Sequence, residues 1–401
     1  MTTETSERRS PSGKGPPAAL TLLVERFDPE VIEVPSGEAR IRLVIEGVAE
    51  WDAAIEGDAI SLVAPGDEQP DAILTADEAT WERVTEDVRG GMDAFRAGRL
   101  SVRQNLHLGV GFLAATSNLA DDRRLRFDTV GTRRGKISTL AAGDGDPVIC
   151  IHGLGGTKAS FLTTVAALAD SHRVIALDLP GFGDSDKPLA AAYDAPYFAD
   201  CVAGLLDELE IRRAHLVGNS MGGRVAIETA LLFPERVQRI ALLSPALAWL
   251  RDRQWRWLLQ APLPLLGLVQ PAPRAITEPI VRNLVPGGGG GWSAAGVDEF
   301  LRSFLTPRGR VAFYKAAREI YLDEPHGKEG FWSRLAEIQC DSLFVWGRRD
   351  QLVPIGFRKH VERALPAARH LELDCGHVPQ LEAPKQTHRA ILEFFDAARV
   401  G

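Results

Sequence analysis

The chain has 401 residues, is 45% hydrophobic and 25% charged, and carries a formal net charge of −8. This composition is ordinary for a globular protein, and the length exceeds what one core usually fills, so we expect two domains. An acidic chain without a dense basic run argues against nucleic acid as the main partner. The four cysteines lie far apart with no CxxC pair, which predicts reduced thiols and no metal site.

Residues 1–18 are polar and rich in Ser, Pro and Gly, which predicts a disordered tail. This stretch has no apolar segment of the kind that a secretory signal requires. No uninterrupted apolar run in the chain reaches the roughly 20 residues of a membrane span. Together these features predict a cytoplasmic protein.

Residues 19–120 begin with the patterns of strands and continue with those of helices. The stretches "ARIRLVIEGV" and "AISLVAPG" alternate apolar and polar residues, as half-buried antiparallel strands do. "PDAILTADEATWERVTED" then predicts a strand followed by a helix, with Thr75 and Glu78 forming a capping box. Strands followed by helices predict a smaller N-terminal α+β domain.

The same segment resembles the sterol-carrier-protein (type 2) lipid-transfer family in a "T-x-D-x-x-x-W" helix and a later "A-F-x-x-G-R-L-x-V" stretch. The matching residues are Thr75, Asp77, Trp81, Ala94, Phe95, Gly98, Arg99, Leu100 and Val102. The resemblance implies an apolar tunnel that holds acyl chains or sterols, and hence a lipid ligand in this domain. The apolar residues themselves indicate only a core, so a structural or dimerisation role is the alternative.

From residue 121 to residue 401 the pattern changes to short runs of Val, Ile and Leu separated by helical segments, as in "HRVIALDLPG" and "RRAHLVGNS". Apolar strands alternating with amphipathic helices predict an α/β domain with a mostly parallel, doubly wound sheet. Residues from about 245 to 338 interrupt this alternation and contain five consecutive glycines, Gly287 to Gly291. An insertion of this kind predicts a helical cap over the sheet.

The pentapeptide "GNSMG", residues 218–222, is a G-x-S-x-G motif between a predicted strand and a predicted helix. The flanking glycines remove side chains that would clash in a sharp turn, so Ser220 should project at the carboxyl end of its strand. The backbone N–H of Met221 would lie at a helix N-terminus, where it can stabilise an oxyanion. The motif therefore predicts that Ser220 is a nucleophile.

A serine nucleophile needs a base, and the base needs an acid that orients it. Asp350 follows the strand pattern "LFVWG" and His377 follows "HLELD", in the order Ser, acid, His that this arrangement requires. We predict that Asp350 orients His377, the general base. Asp374 and Glu382 are rival acids, and Asp374 precedes the turn, which favours a structural role.

The stretch "HGLGG", which begins at His152, follows an earlier predicted strand. We expect its Leu154 N–H to be the second oxyanion donor and His152 to hold the loop. This chemistry needs no metal and no cofactor.

The motifs "HGLGG", "LDLPGFGDSDKP", "GNSMGG", "GRRDQLVP" and "GHVPQLEAP" occur in this order from about Arg126 onward. Here the chain resembles the capped α/β-hydrolase superfamily of serine esterases and lipases. The resemblance implies hydrolysis of carboxylic esters through an acyl-enzyme. The hydrolases that cleave carbon–carbon bonds share "GNSMGG" but usually carry Trp shortly after the catalytic His, where this chain has Val378-Pro379-Gln380-Leu381. C–C hydrolase, thioesterase and acyltransferase activities remain alternatives, as does a lipid carrier with a residual hydrolase scaffold.

The predicted cap gives the only clue to the substrate. We expect its apolar residues to contact the substrate, namely Trp249, Trp255, Trp257 and Leu258. They fit either an interfacial segment in peripheral contact with a membrane or packing over an acyl pocket. Pro262 and Pro264 would break a long helix and favour the second interpretation. Both interpretations favour a small apolar or lipid-like ester, while the oligomeric state is left open.

Overall fold

The computed structural model describes residues 15–32, 34, 37–86, 94–95, 97–117, 124–248, 267–268, 273–284 and 292–397. The chain divides into two compact units. The first contains residues 1–126 and 289–298, and the second contains residues 127–288 and 299–401. The predicted residues 1–14 of the tail and the glycine run Gly287–Gly291 lie outside the described residues.

The first unit contains a five-stranded sheet of order β3-β2-β1-β4-β5. The strands are β1 (Glu38–Ile45), β2 (Ala49–Glu56), β3 (Ala59–Val63), β4 (Ala72–Ala76) and β5 (Leu100–Arg103), and the helices are α1 (Ala18–Glu25), α2 (Glu78–Glu86) and α3 (Leu106–Ala115). Strand β1 pairs antiparallel with β2 and parallel with β4. Buried residues alternate along β1, as expected when one face of a sheet covers a core. The predicted α+β architecture is confirmed.

The predicted capping box at Thr75 is wrong. Thr75 lies inside β4, whose pairing with β1 extends one residue further, to Ala76. The cap of helix α2 is Asp77, whose carboxylate accepts a hydrogen bond of 2.7 Å from the Thr80 N–H. A carboxylate also interacts favourably with the positive end of the helix dipole, so Asp77 is the better cap. Helix α1 was not predicted, because its mostly apolar sequence shows no helical alternation.

The second unit contains an eight-stranded sheet of order β13-β12-β11-β10-β8-β9-β7-β6. Its strands are β6 (Arg126–Thr132), β7 (Gly135–Ala142), β8 (Asp146–Ile151), β9 (His172–Leu177), β10 (Ala214–Asn219), β11 (Val237–Leu243), β12 (Asp341–Gly347) and β13 (Arg369–Leu373). The pairs from β9 through β8, β10, β11 and β12 to β13 are parallel, and β7 pairs antiparallel with β9. The predicted mostly parallel sheet is confirmed.

Helices follow most of these strands along the chain. They are α4 (Leu162–Leu168), α5 (Ala195–Glu208), α6 (Met221–Leu232), α7 (Arg274–Leu284), α8 (Trp292–Phe304), α9 (Pro307–Tyr321), α10 (Phe331–Leu335), α11 (Arg358–Ala364), α12 (Pro379–Glu382) and α13 (Pro384–Asp396). Helices α7 to α10 lie in the segment for which a helical cap was predicted. Among the described residues, no helix is long and apolar enough to cross a membrane.

The sheet brings the ends of several strands to one edge. Strands β8, β10, β12 and β13 run parallel, so the loops that follow them emerge on the same side. Every residue of β10 is buried, and this strand lies between β8 and β11 near the middle of the sheet. The loops after these strands contain the residues with the predicted chemistry.

A buried histidine on β10 gives the fold a dependence on acid. His215 stacks on Phe395 with 4.2 Å between ring centroids, and burial, aided by the nearby His172, lowers its pKa to about 4. The folded protein holds this ring neutral, whereas the unfolded chain binds a proton below about pH 6.5. The free energy of unfolding is therefore unaffected by this group above pH 6.5. It falls as the pH drops toward 4, by on the order of 3 kcal/mol, because the unfolded chain gains a proton that the folded protein does not bind.

We expect His215→Phe to keep the stacking and to reduce this loss of stability in acid. Urea unfolding midpoints of both proteins at pH 7.5 and pH 5.0 measure the effect. The exposed His326→Gln serves as the matched control and should unfold like the wild type at both pH values. If the unfolding midpoint shifts equally with pH in the wild type and in His215→Phe, His215 is not the source of the loss of stability in acid.

Candidate active site

Ser220 occupies a strained turn between β10 and α6. Its backbone has φ +52° and ψ −117°, a region that non-glycine residues seldom adopt. The turn is held by hydrogen bonds from the Ser220 N–H to the Leu243 carbonyl, at 3.0 Å, and from the Ala246 N–H to the Ser220 carbonyl, at 2.8 Å. This geometry is that of a nucleophile elbow, which lifts a serine hydroxyl above the edge of the sheet.

Glycines make room for this turn. A Cβ atom on Gly218 would lie 2.3 Å from the Gly222 carbonyl oxygen, and one on Gly222 would lie 2.0 Å from the Ile151 carbonyl oxygen. The obstructing atoms are backbone atoms, which cannot move aside as a flexible side chain can. The sequence motif therefore reflects close packing of α6 against β8 and β10.

We expect Gly222→Ala to destabilise the protein by about 3 kcal/mol or more, because the new methyl group overlaps the β8 backbone. Thermal unfolding of the variant measures the loss. Gly356→Ala is the matched control, since no atom lies within 4 Å of its Cβ position, and it should stay within about 0.5 kcal/mol of the wild type. Equal unfolding temperatures for the two variants would contradict the packing described here.

Asp350 and His377 form a hydrogen-bonded pair. The His377 Nδ1 atom lies 2.8 Å from Asp350 Oδ2, and the other carboxylate oxygen accepts the N–H groups of Leu352 and Val353 at 2.8 and 2.9 Å. Burial alone would raise the pKa of Asp350, but the hydrogen bonds from His377 and the two N–H groups outweigh it and hold that pKa below its ordinary value. An ionised Asp350 accepts a hydrogen bond from Nδ1–H, which leaves Nε2 of His377 as the basic nitrogen.

Two polar side chains whose structural role the motifs did not predict hold the His377 loop. The Asn219 side-chain amide donates to the carbonyl oxygens of Leu243, at 3.0 Å, and His377, at 3.1 Å. Glu382 accepts the N–H groups of Gly376 and Val378 at 2.7 and 3.0 Å. Asn219, the residue before Ser220, therefore connects the Ser220 turn with the loop that contains His377.

The two rival acids have other partners. Glu382 braces the loop around His377, and Asp374 is an exposed carboxylate paired with Arg349 at 3.1 Å. Neither forms the contact with the histidine ring that Asp350 makes. The structure thus pairs the predicted acid with the predicted base.

The "HGLGG" stretch lies directly beside Ser220. A Cβ atom on Gly153 would be 3.2 Å from the Ser220 Cβ. The Leu179 N–H donates to His152 Nε2 at 2.9 Å, which makes Nδ1 the protonated nitrogen, and Nδ1 donates to the Gly153 carbonyl at 2.7 Å. Burial lowers the pKa of His152, consistent with a neutral ring that holds the loop.

The predicted oxyanion donors flank Ser220. Met221 is the first residue of α6 and is buried, and Leu154 follows Gly153 in the loop that meets Ser220. The first N–H groups of a helix have no partner within the helix, so that of Met221 is available to an anion. The predicted substrate residues Trp249, Trp255, Trp257 and Leu258 lie outside the described residues.

The described residues contain no cluster of His, Cys, Asp and Glu side chains able to hold a metal ion. Cys150, Cys201 and Cys375 are buried free thiols, and Cys340 is a half-buried one.

Residues 146–384 match the family model of the alpha/beta hydrolase fold. The chain belongs to the alpha/beta hydrolase fold family. The matched segment contains the turn at Ser220, the Asp350–His377 pair and the "HGLGG" loop. It does not include residues 19–120.

Two relatives and one solved structure illustrate the range of this family. The chain is 32% identical over 268 residues to the dihydrolipoyllysine-residue acetyltransferase component of an acetoin cleaving system from Pseudomonas putida, covering 66% of this chain and 67% of that protein. It is 30% identical over 276 residues to 2-hydroxy-6-oxo-6-phenylhexa-2,4-dienoate hydrolase from Comamonas testosteroni, covering 63% and 88%. A bacterial membrane phospholipase A aligns with a TM-score of 0.58 and 27% identity, covering 69% and 87%. The matched family and the relative from Comamonas testosteroni that is named a hydrolase support a hydrolase.

Proposed function

We propose that the protein is a serine hydrolase that cleaves carboxylic esters of apolar, lipid-like substrates through an acyl-enzyme. The observation that carries the proposal is the strained Ser220 turn together with the Asp350–His377 hydrogen bond at the same sheet edge. In this mechanism Ser220 Oγ attacks the ester carbonyl while His377 Nε2 takes the hydroxyl proton. His377 then protonates the leaving alkoxide, and water, activated by the same ring, releases the acid and restores Ser220.

The N–H groups of Met221 and Leu154 are the proposed oxyanion donors. Each such donor is worth about 3–4 kcal/mol of transition-state stabilisation when it points to the oxyanion. Met221 is placed by helix α6, and Leu154 by a loop that His152 holds. The chemistry therefore depends on the relative position of a helix and a loop.

Aromatic rings beside this loop support an apolar acyl group. Phe300 and Phe304 of α8 pack against Phe313 of α9, with ring centroids 5.2 to 5.4 Å apart, and Tyr314 adjoins Phe304 at 5.9 Å. All four side chains are only half-buried, and Phe300 touches the "HGLGG" loop at Gly155. Half-buried rings next to an oxyanion loop suit the alkyl chain of an ester.

The alternative of carbon–carbon bond hydrolysis is supported by the Comamonas relative. The name of that relative's substrate specifies a carboxylate, an enol and a ketone but no ester, so its hydrolysis must break a carbon–carbon bond. Such a substrate needs a cation for its carboxylate. The cations Lys158, Arg224 and Arg302 are each paired with two carboxylates. The buried Arg310 donates instead to the main-chain carbonyls of Gly267, Phe304 and Leu305. Cations that already have such partners favour an uncharged ester.

A direct comparison separates the two chemistries. We expect p-nitrophenyl esters of four or more acyl carbons to be hydrolysed with at least a 100-fold higher kcat/KM than 2-hydroxy-6-oxo-6-phenylhexa-2,4-dienoate. Release of p-nitrophenol and loss of dienoate absorbance measure the two rates. A faster reaction of the dienoate would replace the ester proposal, and preferred transfer to an added alcohol or thiol would indicate an acyltransferase.

Two further proposals rest on the sequence. We propose that residues 19–120 hold an apolar ligand, as their resemblance to sterol carriers implies. Protein whose Ser220 is blocked by a fluorophosphonate should still bind a fluorescent fatty acid, and complete loss of binding would contradict this.

Peripheral membrane contact through the Trp-rich segment is tested by liposome co-sedimentation of Trp255→Ala, Trp257→Ala, which should bind less than the wild type.

A further inference from the structure

The oxyanion loop, residues 152–158, is held at its far end by a buried ion pair. The Lys158 side chain is only 2% exposed, and its ammonium lies 2.6 Å from Asp178 Oδ2 and 3.1 Å from Asp184 Oδ2. The Lys158 backbone N–H also donates to Asp178 Oδ1, at 2.7 Å. Asp178 therefore holds both the main chain and the side chain of Lys158. This clamp fixes the end of the loop opposite to His152.

Helix α8 extends this ion pair into the insertion between β11 and β12. The Arg302 guanidinium donates to both carboxylate oxygens of Asp184, and its Nη2 atom lies 3.0 Å from Glu299 Oε2. Asp184 thus accepts hydrogen bonds from both Arg302 and Lys158. A continuous chain of charges connects α8 with the oxyanion loop.

The same helix touches the loop at two more positions. The Thr157 hydroxyl donates to Glu299 Oε2 at 3.2 Å. Gly155 has φ +73°, and a Cβ atom there would lie 2.3 Å from the Phe300 ring. Both Thr157 and Glu299 are more than nine-tenths buried, so this contact is shielded from water. Helix α8 therefore contacts the part of the loop that follows Leu154 in sequence, whereas His152 precedes it.

We propose that Glu299 and Arg302 are positioning residues of the oxyanion hole. Through Thr157, Asp184 and Lys158 they hold the loop where the Leu154 N–H meets the negative charge that develops on the substrate. This inference rests on the ester hydrolysis proposed above. An oxyanion donor acts only within about 2.7–3.1 Å of the oxygen, and a displacement of about 1 Å costs on the order of 100-fold in rate. The insertion thus contributes to catalysis as well as to substrate binding.

The test uses Glu299→Gln and Arg302→Met in the full-length protein. With p-nitrophenyl butyrate, kcat should fall about 10- to 100-fold while KM changes less than threefold, because the contact acts in the transition state. The inhibition constant of an alkyl trifluoromethyl ketone, which forms a tetrahedral oxyanion on a serine, should rise by a similar factor. Arg302→Lys should recover part of the lost rate, since an ammonium can still pair with Asp184.

Arg318→Met is the matched control. This exposed arginine on α9 pairs with the exposed Glu319, and its loss should leave kcat within twofold of the wild type. If Arg302→Met does not fold, Glu299→Gln and Thr157→Val still test the proposal, because both leave the Lys158–Asp178 pair intact. A raised KM with unchanged kcat, or an unchanged ketone inhibition constant, would overturn the positioning role. Labelling of wild-type Ser220 by a fluorophosphonate tests the underlying hydrolase proposal separately.

Discussion

Replacing Ser220 with alanine should lower kcat for p-nitrophenyl butyrate by about 10⁴-fold or more. The hydroxyl oxygen is the only heavy atom lost, and no other side chain of the G-x-S-x-G turn has a nucleophile that could form the covalent acyl intermediate on which the proposed mechanism depends. The folded structure should persist, because the hydrogen bonds that hold the turn come from the Ser220 backbone. Initial rates, together with circular dichroism and thermal unfolding, measure the two effects.

Ser342→Ala is the matched control for this substitution. Ser342 is also buried and belongs to β12, but its hydroxyl donates to the nearby Cys340 carbonyl, at 3.2 Å. We expect the control to retain kcat within about twofold. A Ser220→Ala protein that still turns over ester at a tenth of the wild-type rate would show that another residue performs the attack.

Asp350→Asn should lower kcat by about 10⁴-fold, through the tautomer of His377. The oxygen Oδ1 of Asp350 accepts two backbone N–H groups, so an asparagine would keep its carbonyl oxygen at that position. Its NH₂ group would then face Nδ1 of His377, which would have to become an acceptor. The proton would move to Nε2, and the ring would lose the basic nitrogen that takes the proton from Ser220.

Steady-state kinetics should show a fall in kcat with little change in KM, since Asp350 does not touch the proposed acyl pocket. Asp374→Asn is the control, because this exposed carboxylate pairs with Arg349, whereas Asp350 is the carboxylate that contacts the His377 ring. Loss of activity in Asp374→Asn with full activity in Asp350→Asn would reverse the assignment of the acid.

The sequence is most informative about the positions of residues that depend on chain order and strand direction. Ser220, Asp350 and His377 each follow an apolar run, and parallel strands bring such positions to one edge of the sheet. The glycines around Ser220 are informative for a second reason: their spacing reflects backbone contacts within the turn. Local patterns of this kind can be recognised in the sequence without knowledge of the tertiary structure.

The sequence is less informative about residues whose role depends on contacts far along the chain. Lysine is usually exposed, and nothing near Lys158 in sequence shows that Asp178 and Asp184 will surround its ammonium. Nothing in the motif around Asn219 shows that its amide donates to the His377 carbonyl, 158 positions along the chain. Thr75 failed as a cap because strand pairing with β1, a tertiary contact, extends through it.

The sequence gives less information about the substrate class than about the fold or the positions of the site residues. The four residues predicted to bind the substrate lie outside the described residues, whereas the rings of Phe300, Phe304 and Phe313 form the apolar surface that the structure shows. These rings stand on helices whose apolar residues also fit ordinary core packing. Only their proximity to the oxyanion loop distinguishes them.

Intact mass spectrometry of protein quenched during turnover of p-nitrophenyl butyrate tests the central proposal most directly. We expect a transient gain of one butyryl group, and fragmentation should place it on Ser220 within the peptide that begins at Ala214. The His377→Ala protein should show no such adduct, because its serine lacks a base. Ester turnover with no adduct, or with an adduct on another residue, would contradict an acyl-enzyme at Ser220.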